Sequence, residues 1–384
     1  MAKRTKILII IDWFLPGTLS GGPVRSYANL IEHLKDDFEF YIITRNSDYG
    51  LNIPYEGIIP NIWTKFNDYT KVYYISKEAL SKSHLKRVIT DIEFDIAFVN
   101  GIYSWYFSIL PVLLLKKSKK KVIVSARGML NPQAFSVKAR KKIIYLKLAR
   151  LLNIYSGVIF HATNTDEAVC IKNRIGKTKI VHIAPNLPRK QDLKLKTLSK
   201  KNSPVKFVNI ARISIEKGTL RMLSGLEGVE QSLILDLYGP IYDKQYWVKC
   251  KEVISRLPKH IKVSYKGVLE SESILSALTK YDFFVLLSEG ENFGHAILEA
   301  LSVGLPVIIS DQTPWRDLEA KLLGWDINAN EKLNIVNAYT DAINMSNSDY
   351  KKWSQATHEY ATLYIDNPDL VQKNKKLFTI TDFH

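Results

Sequence analysis

Cysteine is nearly absent from this sequence: Cys170 and Cys250 are the only two in 384 residues. No disulfide framework and no cysteine zinc site can be built from them, which fits a reducing compartment. The eight histidines show no His-x-x-x-His or glutamate-spaced metal pattern. No metal ligand and no cofactor are therefore expected. A Walker A loop and a Gly-x-Gly-x-x-Gly loop are both missing, which weighs against an ATPase and an NAD enzyme. Long apolar runs are missing too. The longest, near Phe107 to Leu115, contains Pro111 and is too short to span a bilayer. The basic N-terminus followed by Ile7 to Ile11 imitates a signal peptide, but Asp12 and Pro16 cut the apolar part short. It reads as a first buried strand.

Acidic residues are missing from one region. Between Ile96 and Thr165 there are 12 Lys and Arg and no Asp or Glu. Residues 1–200 hold 33 basic against 15 acidic side chains, a net +18, and residues 201–384 hold 21 against 23, a net −2. A basic front half joined to a near-neutral back half points to a nucleic acid, an anionic membrane or a phosphorylated ligand.

What is present is globular: 46% hydrophobic and 24% charged residues, a composition that excludes a disordered or collagen-like chain. The length suggests two domains. Short apolar runs at 6–11, 38–43, 94–99, 121–125, 157–161 and 179–183 read as buried strands, with helix-period stretches such as 23–34 and 137–152 between them. The pattern restarts with runs at 205–210, 232–237, 261–265, 282–287 and 306–310. The alternation predicts an α/β protein with two doubly wound, mostly parallel sheets. The expected division is a first domain over 1–187, a polar, basic, proline-bounded linker over 188–204, and a second domain over 205–358. A C-terminal helix over 359–384 should pack back towards the first domain.

Ligands of such sheets bind beyond the carboxyl ends of the strands. In the second domain those positions hold Arg212, Lys217, Gly239, Gly267, the stretch Ser288 to Gly294, and Asp311. Two cations there can offset the charge of a diphosphate. A helix starting near Gly294 presents backbone N–H groups and a positive dipole end, and Gly304 with Pro306 stops it. His295, Glu299 and Ser302 share one face by helical spacing. A carboxylate at Glu299 can accept hydrogen bonds from vicinal sugar hydroxyls.

The set Glu291-Asn-Phe-Gly-x4-Glu299-Ala resembles the signature of the retaining family 4 glycosyltransferases. Arg212 to Lys217-Gly218 resembles that family's donor-phosphate motif, and Gly21-Gly22-Pro23 its N-terminal glycine loop. The resemblance implies the GT-B fold, two Rossmann-like domains facing a cleft, and transfer from a nucleotide diphosphate sugar with retention, without a metal. UDP is favoured as the nucleotide, with GDP second. It further implies that Arg212 and Lys217 hold the diphosphate and stabilise the leaving group. Glu291 contacts the sugar near the reaction centre, Gly21 and Gly22 help bind the donor, Phe293 and Gly294 offer backbone N–H groups, Glu299 binds the ribose, and Gly267 and Val268 lie beside the base. The resemblance also implies a front-face displacement in which the nucleoside diphosphate leaves and its phosphate oxygen takes the acceptor proton, so no separate general base is needed.

One stretch departs from the general family pattern. Where many members carry His-Gly, this chain has Arg127-Gly128-Met-Leu. Together with Thr313-Pro314-Trp315, that resembles a subgroup found in bacterial polysaccharide synthesis. Arg127 stays charged and cannot act as a base. With His161, at the end of a strand, it is a candidate for binding phosphate or the acceptor. The acceptor expected is a glycan or a polyprenyl-diphosphate-linked sugar.

The rival classes are a basic nucleic-acid-binding protein and, within the fold, a phosphorylase or epimerase. Tyr103, Trp105 and Tyr106 precede the basic cluster rather than interleave with it, so no nucleic acid partner is expected. The cations from Lys116 to Lys121 and from Lys138 to Arg150 surround an apolar stripe of Ile144, Leu148, Leu151 and Leu152. Either this stripe packs on its own sheet or it meets a membrane. The missing carboxylates favour the second, a cytoplasmic protein peripheral on the inner face of the cell membrane.

Overall fold

A computed structural model describes residues 4–379, apart from residues 117, 119, 137 and 191–203. The linker expected at 188–204 thus lies outside the described residues except at its ends. Described residues up to Lys190, with those from Asn367 on, form one compact unit; those between form a second, ending at Asp366.

The first unit contains β1 (Thr5–Ile10), β2 (Phe38–Arg45), β3 (Trp63–Asn67), β4 (Thr70–Ile75), β5 (Ile96–Asn100), β6 (Lys121–Ser125), β7 (Ile159–Ala162) and β8 (Val181–Ile183). They form one sheet in the order β3-β4-β2-β1-β5-β6-β7-β8. All neighbours are parallel except β3 and β4. Central strands read as unbroken apolar runs because both their faces are covered: Ile7 to Ile10 are wholly buried. Ile7 pairs with Phe40 on one side and Ile96 on the other. The β3–β4 hairpin was not foreseen. It supplies an antiparallel edge in which Trp63 packs edge-on against Tyr41 and Tyr73, and its register shifts between Lys65 and Asn67.

The second unit contains β9 (Val205–Ile210), β10 (Leu233–Tyr238), β11 (Ile261–Tyr265), β12 (Phe283–Leu286), β13 (Val307–Ser310) and β14 (Gly324–Ile327). All are parallel, in the order β11-β10-β9-β12-β13-β14. The chain runs outward from β9 to β11, then returns to β12 on the other side of β9. The crevice between β9 and β12 is therefore the switch point where a ligand fits. In the first sheet the corresponding place lies between β1 and β5.

The helix expected from 359 is corrected. Residue 359 lies inside a helix of the second unit, Asn347–Ile365. The break comes at Asp366 and Asn367, because Pro368 lacks an N–H and disfavours helix in the residue before it. The helix Pro368–Thr379 then belongs to the first unit. There Phe378 packs on Phe38 and Phe98, and Lys375 pairs with Asp37 at 2.8 Å. Lys121, expected among the surface cations, is buried and donates to the carbonyl of Leu377 at 3.0 Å. A cation at a helix C-terminus satisfies a carbonyl that has no partner within the helix. No helix of the described residues is long and apolar enough to cross a membrane.

Candidate functional site

At the switch point of the second sheet, two loops meet through a glycine. Gly218 has φ +68°, and a Cβ there would sit 1.9 Å from the carbonyl oxygen of Leu287, at the end of β12. Only glycine allows both the backbone angle and that approach. The contact lays the turn Ile215–Lys217 against the residues that follow β12, and the amide of Glu289 donates to the carbonyl of Glu216 at 2.9 Å. Lys217 is thereby delivered to Glu291: its Nζ lies 2.5 Å from Oε1, which also accepts from Ser288 Oγ at 2.6 Å. Both side chains are largely buried, 19% exposed for Lys217 and 11% for Glu291. Arg212 leaves β9 on the same loop. Its guanidinium lies 3.4 Å from Glu216 and over the ring of Tyr242.

The helix expected near Gly294 runs over His295–Ser302, with Gly294 at φ +83° as its N-cap. No side chain caps this end. A Cβ at Gly294 would lie 2.8 Å from Ile297 and 3.3 Å from the indole nitrogen of Trp315. That nitrogen donates to the carbonyl of Phe293 at 2.6 Å. Thr313 Oγ1 accepts from the amide of Trp315 at 3.2 Å. The Thr-Pro-Trp motif thus acts as a brace for the Phe293–Gly294 turn. The ring of Phe293 is buried against His295, Trp315 and Tyr364, so its backbone is the part able to serve a ligand.

The shared polar face of this helix is corrected in one member. Ser302 is buried, donates to the carbonyl of Glu299 at 2.8 Å, and accepts from His358 Nδ1 through its own carbonyl at 2.7 Å. It holds two helices together. Glu299 is also mostly buried, at 8% exposed, while His295 is partly exposed. Beyond β10 and β11, the amide of Gly239 donates to the carbonyl of Gly267 at 2.8 Å. A Cβ at Gly267 would meet nothing within 4 Å, and Val268 is exposed.

In the first unit, Gly21 is the N-cap of the helix Gly22–Leu34, at φ +76°. A Cβ on Gly21 or Gly22 would meet nothing within 4 Å, so the space beside this turn is open. Two carboxylates that sequence reasoning passed over fix the loop. Asp48 accepts from the amides of Thr18 and Leu19 at 2.8 and 3.1 Å. Asp12 lies 3.0 Å from Arg45 and accepts from Ser104 Oγ at 2.9 Å, tying the ends of β1, β2 and β5 together. Burial raises the Asp12 pKa, against the lowering pull of Arg45 and Ser104. The available signal was position: each follows a strand of the sheet.

Arg127 and Gly128 both have positive φ, +51° and +73°. The Arg127 guanidinium donates to Asn186 Oδ1 and stacks 4.5 Å from the ring centre of Tyr27. Its Nε is buried and meets no acceptor among the described residues. Glu167, another residue missed in the sequence, is fully buried beneath this turn. It accepts from the amide of Gly128 at 2.5 Å, and from the amide and hydroxyl of Thr163 at 2.7 and 2.8 Å.

His161 is corrected. It is buried, and both ring nitrogens are engaged: Nδ1 with Ser125 Oγ and Nε2 with the carbonyl of Ala184, each at 2.8 Å. The carbonyl can only accept, so Nε2 carries the proton and the hydroxyl donates to Nδ1. Burial, followed by the nearby Arg127 charge, pushes its pKa down to about 3. It is a neutral core histidine with no nitrogen left for a ligand.

Two outcomes follow. Gly218→Ala should destabilise the second unit by about 1–3 kcal/mol, because the new methyl meets backbone rather than a yielding side chain. Gly22→Ala, in open space, should stay within about 0.5 kcal/mol of the parent. Urea midpoints for both variants check this. For His161, the folded pKa lies below the unfolded one. Its contribution is complete above pH 6.5 and lost as pH falls from about 6.5 towards about 3. Between pH 7 and pH 5, His161→Gln should show a loss of stability smaller than that of the parent by about 2 kcal/mol. Equal slopes in the two proteins would mean that the imidazole titrates normally.

Residues 190–360 match the family model described as Glycosyl transferases group 1. An uncharacterized glycosyltransferase of Methanocaldococcus jannaschii is 28% identical over 219 residues, which are 53% of this chain and 52% of the relative. The chain thus matches about half the length of that curated relative. Among solved structures, sucrose-phosphate synthase from Thermosynechococcus elongatus superposes with a TM-score of 0.73 at 14% identity, over 98% of each chain. Anabaena HepE in complex with UDP-glucose gives 0.71 at 15% identity, over 98% of this chain and 100% of that one. The fold is GT-B, and the match to the family model falls on the second unit.

Proposed function

We propose that the protein is a retaining glycosyltransferase that uses a nucleotide diphosphate sugar, with UDP favoured and GDP second. The observation that carries this reading is the cluster at the second switch point. There Lys217, Glu291 and Ser288 meet beside a helix that begins at Gly294 without a side-chain cap. A leaving nucleoside diphosphate develops negative charge, and fixed cations and helix-end amides lower its energy most in a site shielded from water. Lys217 and Arg212 would take that charge. Glu291 would orient Lys217 and meet the sugar hydroxyls, and Glu299 would take the ribose. The UDP-glucose complex of HepE supports UDP as the first donor nucleotide to try.

The acceptor side of the reading rests on the first unit. The partly satisfied guanidinium of Arg127 suits an anionic group, such as the diphosphate of a lipid-linked glycan, while the open turn at Gly21-Gly22 is read as part of the donor site. The resemblance of Arg127-Gly-Met-Leu and Thr-Pro-Trp supports a place in bacterial surface polysaccharide synthesis, on the cytoplasmic leaflet. The reaction so proposed needs neither metal nor cofactor.

Lys217→Ala and Arg212→Ala should each lower kcat by about 100-fold or more, since removing one donor to a developing oxyanion has that effect. Glu299→Ala should weaken donor binding in a folded protein. Calorimetry with UDP-sugars tests the ribose role, and unchanged affinity would remove it. Activity should survive EDTA. Complete loss restored by a divalent metal would refute the metal-free mechanism.

A further inference from the structure

The helix Ala139–Leu151 carries two apolar faces. One, with Leu146 and Ala149, belongs to the core of the first unit. Tyr145 reinforces it through a 2.6 Å bond between its hydroxyl and that of Tyr155. The opposite face bears Ile144, Leu148, Leu151 and Leu152, which are 58, 50, 76 and 65% exposed. The stripe seen in the sequence therefore does not pack on its own sheet. Residues 144, 148 and 152 follow one another at i, i+4 spacing, with Leu151 between them on the same side.

Arg140, Lys141 and Lys147 flank this stripe and are exposed. By helical spacing, Arg140 stands one turn before Ile144 and Lys147 one turn before Leu151. Large aliphatic side chains in a row are a poor surface in water unless something covers them. The charge that this helix and its flanking sequence carry has a single sign: no carboxylate occurs between Ile96 and Thr165. A protein partner's polar rim would ordinarily engage both signs. A lipid surface with anionic headgroups matches a rim of cations around an aliphatic centre, because leucines enter the acyl boundary while long cations reach back to the phosphates.

We propose that this outer face is an interfacial anchor that seats the first unit on an anionic bilayer. The proposal rests on the reading above of a lipid-linked acceptor, and it names the surface that brings the protein to it. It also commits to insertion of the leucines, beyond electrostatic attraction alone.

The test uses the full chain and vesicles of phosphatidylcholine with or without phosphatidylglycerol. Co-sedimentation should require phosphatidylglycerol and fall as salt rises. Reversing Arg140, Lys141 and Lys147 to Glu should weaken vesicle binding by more than 100-fold, at roughly fivefold for each cation removed and more for reversal. Leu148→Ser with Leu151→Ser and Leu152→Ser should weaken it at low salt as well, while the melting temperature changes little because these side chains are exposed. Equal binding to both vesicle types, binding to neither, or full binding by the triple serine variant would overturn the anchor. So would a dimer of the parent that the serine variant dissolves, since a second copy would then cover the face. UDP-sugar calorimetry on the same variants separates the two readings. Donor binding without vesicle binding in the parent defeats the anchor alone, and vesicle binding without donor binding defeats the enzyme alone.

Discussion

The contact between Gly218 and the carbonyl of Leu287 governs the second unit's site. It joins the loop after β9 to the loop after β12 at the one crevice where the strand order reverses. From it follow the position of Lys217, the short bond to Glu291, and the shielding of both side chains. A buried ion pair of this kind is weak evidence for stability, since desolvation opposes the attraction. In the proposed reaction it serves as a prepared charge: the ammonium would already be in place when a phosphate arrives. A second brace, from Trp315 to the carbonyl of Phe293, holds the neighbouring turn so that the helix start at Gly294 keeps its direction.

The first unit is arranged by buried carboxylates. Asp12, Asp48 and Glu167 each accept two or more hydrogen bonds at the carboxyl end of the sheet. They spend their acceptor capacity on the loops that carry Gly21 and Arg127. Glu167 lies just past the stretch that lacks acidic residues, and its burial removes it from the surface.

Much of this was legible in the sequence, because parallel strands covered on both faces read as short apolar runs. The strands around β1, β5, β6, β9 and β12 announced themselves in this way. The β3–β4 hairpin did not, since β3 is largely exposed and has no apolar run to pair with β4, and β14, Gly-Trp-Asp-Ile, has its apolar residues interrupted by Asp326. The residues that the structure brings together were legible where backbone geometry demands glycine beside a charged residue, as at Lys217-Gly218. They were not where a polar side chain serves the fold. His161 ends a strand and looks available, yet both nitrogens are taken by Ser125 and Ala184. Lys121 sits in a run of lysines, yet it closes the end of a helix distant in sequence. Spacing along the chain carries no information about partners contributed from elsewhere in it.

The helix Ala139–Leu151 shows the same limit from the other side. A periodic apolar stripe in an α/β protein ordinarily marks the face turned to the sheet. Here Leu146 and Ala149 already fill that place, and the clearer stripe is turned outward. Two apolar faces on one helix blur its amphipathic signal, so periodicity cannot say which face the core takes. Charge can. Cations beside that stripe at Arg140, Lys141 and Lys147, with no carboxylate for seventy positions of sequence, oppose its burial in the protein's own interior. The pattern of what is missing around the leucines therefore decides their direction, where the pattern of the leucines themselves does not.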